Sequence, residues 1–333
     1  MELWKGFLIK RFVALLELNF MSEIADSIHI VLASDDAYVQ HLGVLLVSIF
    51  ENNREESFVI HILADNISEE KRELLSQIVE KQYGQNLVFY EMDKAIFLNF
   101  PLRARDHISI ASYYRLKLPD LLPKEMSHIL YLDCDMIVTN KLRPLWETNI
   151  SGMAVAAVMD NLSFVPETFE RLSIPPDDKY FNAGTLLINL DYWRQEDVFE
   201  RALMIANERA DALLWHDQDI LNILFHKNWQ NIPFRWNVMN TIMRPLPYYT
   251  PALIREIDEE VRKRAIIHYT CAWKPWIYPC DNPLCFEYYK YLSLSPWKGF
   301  KPQTTIWKRV KWGVHKMRIA LGLLGKGYRD IKL

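Results

Sequence analysis

Short β-branched apolar runs alternate with helix-length amphipathic stretches through the first half of the chain, and few architectures accept that rhythm. The runs are Ile28 to Ala33, Phe58 to Leu63 and Leu87 to Tyr90; the intervening stretches are Val39 to Phe50 and Ser68 to Tyr83. Such alternation predicts βαβ units, hence an α/β domain built on a mostly parallel sheet. Further strands are expected at Ile129 to Leu132, Met153 to Val158, Thr185 to Asn189 and Ala265 to Tyr269, with helices over Asp191 to Arg209 and Asp217 to His226. Ser68, followed by Glu69 and Glu70, reads as an N-cap with acids at the positive end of the helix dipole. Residues 240–252, with Pro245, Pro247 and Pro251, read as a surface loop. Half of the 333 residues are hydrophobic, ample for a core of this size.

Open parallel sheets bind ligands beyond the carboxyl ends of their strands. Asp133 and Asp135 follow the apolar run Ile129–Leu132 at such an end. In an extended segment, side chains two apart share a side, so both carboxylates could reach one hard cation, and a diphosphate could share it. An Asx turn is the alternative. Four other segments have the same character. Ala33-Ser34-Asp35-Asp36 offers a carboxylate for a nucleoside, or an N-cap. Tyr180-Phe181-Asn182-Ala183-Gly184 offers an amide and a close backbone approach, or simply a turn into a strand. His216-Asp217-Gln218-Asp219 opens a helix with more acceptors than a cap needs. His268, with Lys274-Pro275-Trp276 after it, could complete a metal site and place a cation beside a departing diphosphate.

Taken together and in order, Leu132-Asp133-Cys134-Asp135, Phe181-Asn182-Ala183-Gly184, Asp217 to Asn222, and His268 with Lys274-Pro275-Trp276 resemble glycosyltransferase family 8, in particular its bacterial lipopolysaccharide and lipooligosaccharide glucosyl- and galactosyltransferases. His107 to Ile110, Tyr114 to Leu118 and Pro144-Leu145-Trp146 extend the similarity, which runs from about Ile28 to Trp276. The resemblance implies a GT-A fold, a Rossmann-like mixed sheet flanked by helices. It implies Mn²⁺, or Mg²⁺, a UDP-hexose donor, an oligosaccharide or glycolipid acceptor, and retention at the anomeric carbon. By the same resemblance Asp133, Asp135 and His268 match the metal ligands. Ala33 and Asp35 match uridine contacts, and Cys134 lies between the paired acids. Arg115, Asn182, Ala183, Gly184, Asp217 and Gln218 match the shell of the donor sugar, and Lys274 matches a diphosphate contact. Gln218, Asp219 and Asp160 are the candidates for stabilising the reacting sugar. Two positions depart from the family pattern: Cys271 stands where a glycine is usual, close to the diphosphate, and Ala37 where an asparagine is common. A metal-dependent sugar-nucleotide hydrolase or nucleotidyltransferase, and a non-catalytic nucleotide-sugar-binding protein, are the competing readings.

Net charge is −3, giving no general attraction for nucleic acid. Cys134, Cys271, Cys280 and Cys285 show neither C-x-x-C nor zinc-like spacing, which suggests thiols kept in a reducing compartment. Residues 1–25 read as an extension, 26–280 as the catalytic domain and 281–333 as an aromatic and basic C-terminal region. The aromatic segment 272–302, which spans the boundary between the last two, suits packing at least as well as a sugar site. From Lys301 onward nine Lys or Arg face a single acid, Asp330, with Trp307, Trp312 and several aliphatic residues among them. That pattern suggests attachment to an anionic membrane surface, and so a cytoplasmic protein peripheral to the inner face of the cytoplasmic membrane.

Overall fold

The structure is a computed structural model that describes residues 26–102, 109–271 and 274–331. The expected N-terminal extension, His107 and Ile108 therefore lie outside the described residues. Among the described residues, ten strands form two sheets. Seven of them, β1 (Ile28–Asp35), β2 (Phe58–Asp65), β3 (Asn86–Glu91), β4 (His128–Leu132), β6 (Val155–Met159), β7 (Phe181–Asn189) and β8 (Trp229–Asn231), are ordered β3-β2-β1-β4-β7-β6-β8. Neighbours are parallel except at β7, which runs antiparallel to both β4 and β6. The second sheet joins β5 (Met136–Val138), β10 (Ile266–His268) and β9 (Val238–Met239) in the order β5-β10-β9.

Alternate residues of each strand face opposite layers. Ile30, Leu32, Leu130, Leu132 and Leu187 enter one core with the second sheet and α1 (Val39–Asn52). Val31, Ile129, Tyr131, Leu186 and Ile188 enter the other. That second core is closed by the 3₁₀ segment Ile110–Lys117, by α5 (Val198–Arg209) and by α6 (His216–Phe225). Burial on both faces explains why the strands read as continuous apolar runs.

Helix boundaries differ from expectation where a polar residue intervenes. The Ser68 stretch is α2 (Glu69–Ser76) continued by a π turn, Gln77–Gln82. Ser68 does not cap α2 with its side chain; its N–H and hydroxyl both donate to Asp36 Oδ1, at 2.9 and 2.8 Å. The expected helix from Asp191 to Arg209 is split into α4 (Leu190–Gln195) and α5 by Asp197, which takes φ 45°. Aspartate is among the few residues that tolerate this left-handed region. The proline-rich loop ends sooner than expected, because Pro251 occupies the first turn of α7 (Pro251–Arg262), where a missing N–H costs nothing.

The aromatic segment after Lys274 packs as a structural layer. Trp276 stacks on His41 of α1 with ring centroids 3.8 Å apart, and Tyr288 and Tyr291 of α8 (Cys285–Leu292) are buried in the first core. Cys280 and Cys285 are joined by a disulfide, contrary to the expectation of reduced thiols. The turn preceding α8 brings the two residues together, a closeness their spacing in sequence does not reveal. Beyond it, α9 (Ile306–Ala320) buries none of its residues. The chain then returns to the body: Arg329 donates to the carbonyls of Ile242 and Arg244 and pairs with Asp258 at 2.6 Å. Among the described residues no helix is long and apolar enough to cross a membrane.

Candidate active and metal-binding site

Asp133, Cys134 and Asp135 form the turn by which the chain leaves the large sheet at β4 and enters the small one at β5. The pair is thus not an extended segment as expected, but the turn is fixed at both ends. Asp133 N–H donates to the Gly184 carbonyl of β7, and the Asp135 carbonyl accepts from Tyr269 N–H just beyond β10. Because β10 pairs with β5, His268 arrives opposite Met136. One ligand atom from each of Asp133, Asp135 and His268 lies within 4.8 Å of the other two. His268 Nε2 is 3.1 Å from Asp135 Oδ1 and 3.8 Å from Asp133 Oδ2.

Two carboxylates and an imidazole suit a hard or borderline divalent ion. Asp135 Oδ1 is buried with no hydrogen-bond partner, so this oxygen has lone pairs to give. Glycine at 184 is a condition of the arrangement: a Cβ there would lie 2.4 Å from His268 Cε1. Lys274 Nζ rests on Asp135 Oδ2 and donates to the Tyr269 carbonyl. Burial disfavours charge on Asp135, but Lys274 and His268 outweigh it and hold the carboxyl well below its ordinary range.

Behind the acids sits Arg115, only 3% exposed. Its guanidinium reaches Asp133 at 2.7 Å, Asp217 at 3.0 Å and the Ala183 carbonyl, and lies 4.0 Å from the centre of the Tyr131 ring. Burial opposes its charge, but Asp217 and Asp133 more than compensate. One cation thus ties three of the expected donor-shell segments together. Asp217 itself is raised to about 6, chiefly by burial, with Arg115 opposing and Asp133 adding to the rise.

The Asn182-Ala183-Gly184 segment lies inside β7 rather than in a turn before it. The β6–β7 register shifts between Ala157 and Val158, just where Asn182 pairs with Val158. Such irregularities re-aim side chains at sheet edges. Asn182 Nδ2 donates to Asp160 at 2.9 Å and to Gln218 Oε1 at 3.1 Å, and Gln218 Oε1 also accepts from Ala183 N–H at 3.0 Å. Asp160 accepts from Leu162 N–H as well, and burial raises its pKa. Asp219, expected as a candidate catalytic carboxylate, is fully buried and faces the other way: it holds Arg171, the Tyr180 hydroxyl and Trp215 N–H. It braces α6 and therefore Gln218.

The remaining expected positions lie at the same edge. The Ala33 carbonyl accepts from Cys134 Sγ, and Asp35, at the end of β1, accepts from Tyr38 N–H as an N-cap. Cys271 adopts φ 63°, the left-handed conformation that explains why glycine suits the position. Sequence reasoning missed Arg171 and Asn237. Arg171 lies on α3 (Pro166–Leu172) and meets Asp219 across 48 positions; Asn237 lies in an aperiodic turn and touches His268 at 3.0 Å. Neither carries a local signal.

The glycosyl transferase family 8 model matches residues 29–280. The chain belongs to this family. General stress protein A of Bacillus subtilis is 31% identical over 274 residues, 81% of this chain and 94% of that protein. The lipopolysaccharide 1,2-glucosyltransferase of Escherichia coli is 29% identical over 308 residues, 89% of this chain and 86% of that protein. Among solved structures, the galactosyltransferase LgtC in complex with donor and acceptor sugar analogues matches with TM-score 0.74 and 30% identity, over 85% of this chain and 100% of that one. The fold is accordingly the GT-A type of a family 8 glycosyltransferase.

Proposed function

We propose that this family 8 enzyme transfers glucose or galactose, with retention, from a UDP-hexose to a saccharide acceptor, using Mn²⁺ held by Asp133, Asp135 and His268. The convergence of those three groups, backed by Arg115 and Lys274, carries the reading. A divalent ion there would supply Lewis-acid stabilisation of the departing diphosphate. Lys274 adds a second positive charge at the same place, and preorganised charge of this kind is often the largest catalytic contribution. Arg115 keeps Asp133 oriented, while Asn182, Ala183 and Gln218 form one hydrogen-bonded surface for the sugar.

Retention requires either an enzyme nucleophile or attack on the face that the leaving group vacates. Gln218 Oε1 already accepts two hydrogen bonds, which lowers its nucleophilicity. Both oxygens of Asp160 and of Asp219 are engaged, and Asp217 faces Arg115. These commitments favour front-face substitution, with Gln218 positioning the sugar and the leaving phosphate taking the acceptor proton. That a solved form of LgtC replaces an active-site glutamine with glutamate accords with a central glutamine.

The acceptor is a lipopolysaccharide or lipooligosaccharide core, a reading supported by the named glucosyltransferase and by the lipopolysaccharide 1,3-galactosyltransferase of Salmonella typhimurium, 25% identical over 278 residues. The exposed basic helix α9 would hold the enzyme on an anionic membrane surface where such an amphiphile resides. The test is UDP release from UDP-glucose and UDP-galactose with and without Mn²⁺ and acceptor, with the product identified. A new glycoside formed only with metal is expected, and Gln218→Ala should lower kcat by about 10²-fold. Free hexose as the sole product would indicate a hydrolase, and unchanged turnover in the variant would remove Gln218 from its role.

A further inference from the structure

The amide side chains beside the metal-binding groups form one chain of hydrogen bonds whose direction is fixed by the backbone. An amide can be flipped without changing its shape, so its orientation has to follow from its partners. Here two peptide N–H groups, which can only donate, decide it. Ala183 N–H points at Gln218, making the facing atom Oε1; Gly184 N–H, at 3.0 Å, makes the facing atom of Asn182 its Oδ1. The other end of Asn182 is then its NH₂, which meets two acceptors, Asp160 Oδ2 and Gln218 Oε1.

Asn182 Oδ1 also faces Asn237 at 2.8 Å, and an oxygen there requires the Asn237 NH₂. What Asn237 presents on its far side is therefore an oxygen, 3.0 Å from His268 Nδ1. Because that oxygen only accepts, Nδ1 carries the hydrogen. In the neutral ring Nε2 then holds a lone pair aimed at Asp133 and Asp135, where Asp135 Oδ1 has no hydrogen-bond partner. A ligand nitrogen and two anionic oxygens are thereby presented to a cation, and the partner on the other ring nitrogen is what sets such a tautomer. Asn237 is fully buried, so water cannot take over either of its contacts.

We infer that Asn237 is a positioning residue that holds His268 with Nε2 open toward Asp133 and Asp135, and that its NH₂ links this orientation through Asn182 to Gln218 at the donor-sugar surface. The inference rests on the metal-site reading for its consequence, but not for the tautomer itself. A merely structural asparagine would make every replacement equally harmful. A positioning one discriminates: Asn237→Asp keeps an oxygen for Nδ1–H, whereas Asn237→Ala offers none.

Two measurements on the full-length, metal-free protein test it. With ¹⁵N-histidine labelling at a pH high enough for the His268 ring to be neutral, and with His268 assigned by its loss in His268→Gln, the parent and Asn237→Asp should show a protonated Nδ1 and an unprotonated Nε2. Asn237→Ala should lose that pattern. In Mn²⁺ titrations followed by electron paramagnetic resonance, Asn237→Ala should bind about 10–100-fold more weakly than the parent, and Asn237→Asp close to it. A parent ring protonated on Nε2, or an Asn237→Ala variant with the parent's Mn²⁺ affinity, would overturn the inference. Should Asn237→Ala fail to fold, the parent's nitrogen pattern and the Asn237→Asp titration decide. A parent with the expected tautomer but no Mn²⁺ binding would refute the metal reading instead.

Discussion

Single atoms set the tolerance of this site. At Gly184 an added methyl carbon would press on His268 Cε1 and Nδ1 and, at 2.7 Å, on Met136 Cε. Methionine can yield, but the histidine is pinned from behind by Asn237. Gly184→Ala is therefore expected to cost about 1–3 kcal/mol of stability and to lose Mn²⁺ affinity at least tenfold, in the manner of lost supporting contacts around a metal; calorimetric titration of the folded variant with Mn²⁺ measures it, and parental affinity would contradict the steric argument. Asp217 makes a prediction of opposite character. Its folded-state pKa of about 6 exceeds the ordinary 3.8, so between roughly pH 4 and 6 the folded state keeps a proton that the unfolded state has released. Stability from this group is present below that window and lost as pH rises through it. Asp217→Asn removes the loss, so the stability of the parent relative to the variant should fall by on the order of 2–3 kcal/mol from pH 4 to 7. Urea unfolding of both proteins across that range reads the difference, and parallel pH profiles would show that Asp217 ionises normally.

Among the elements, α6 depends on a neighbour far away in sequence. Arg171 on α3 neutralises Asp219, which is wholly buried and also holds Tyr180 and the first turn of α6. Removing one partner of such a pair leaves an uncompensated charge, so Arg171→Ala should cost about 3–5 kcal/mol. Chemical denaturation tests this, and a loss below about 1 kcal/mol would mean that Tyr180 and Trp215 suffice. The same pair marks where the sequence stops being legible. The strands β1, β2, β3 and β4 and the convergence of Asp133, Asp135 and His268 could be read because their signals are local: continuous apolar β-branched runs, a D-x-D at a strand end, a histidine closing another strand. Asp219 could not be assigned, since its charge is answered 48 positions away. The reversal of β7 was equally hidden, because a strand buried on both faces looks alike in either direction. Asn237 has neither periodicity nor motif; only the pairing of β9 with β10 brings it to the imidazole.

At the scale of the whole molecule, α9 buries none of its residues, and while Trp312 and Lys316 line a cleft with Pro275, Tyr278 and Tyr289, another side is open. Trp307, Val310, Val314 and Met317 are between 46% and 73% exposed along one side, among Lys308, Arg309, Lys311, Lys316 and Arg318. Not every basic residue of the tail is available for a surface, since Arg329 is anchored to Asp258 and to the carbonyls of Ile242 and Arg244. Each lysine or arginine near an anionic membrane contributes about 1 kcal/mol. Reversing the five charges on α9 to glutamate should therefore abolish sedimentation with phosphatidylglycerol-rich vesicles while leaving turnover on a soluble acceptor unchanged; undiminished sedimentation would exclude α9 as the anchor. The reversed strand β7 has a consequence for anyone redesigning the enzyme. Running against its neighbours, it contributes its opening residues where they contribute their closing ones, so the Asn182-Ala183-Gly184 segment proposed for the hexose and the Asp133, Asp135 and His268 groups proposed for the ion share a single frame. Grafting another relative's sugar preference onto this scaffold would mean exchanging β7, the start of α6 and the turn at Asn237 as one cassette, because a piecemeal swap would disturb the histidine along with the pocket.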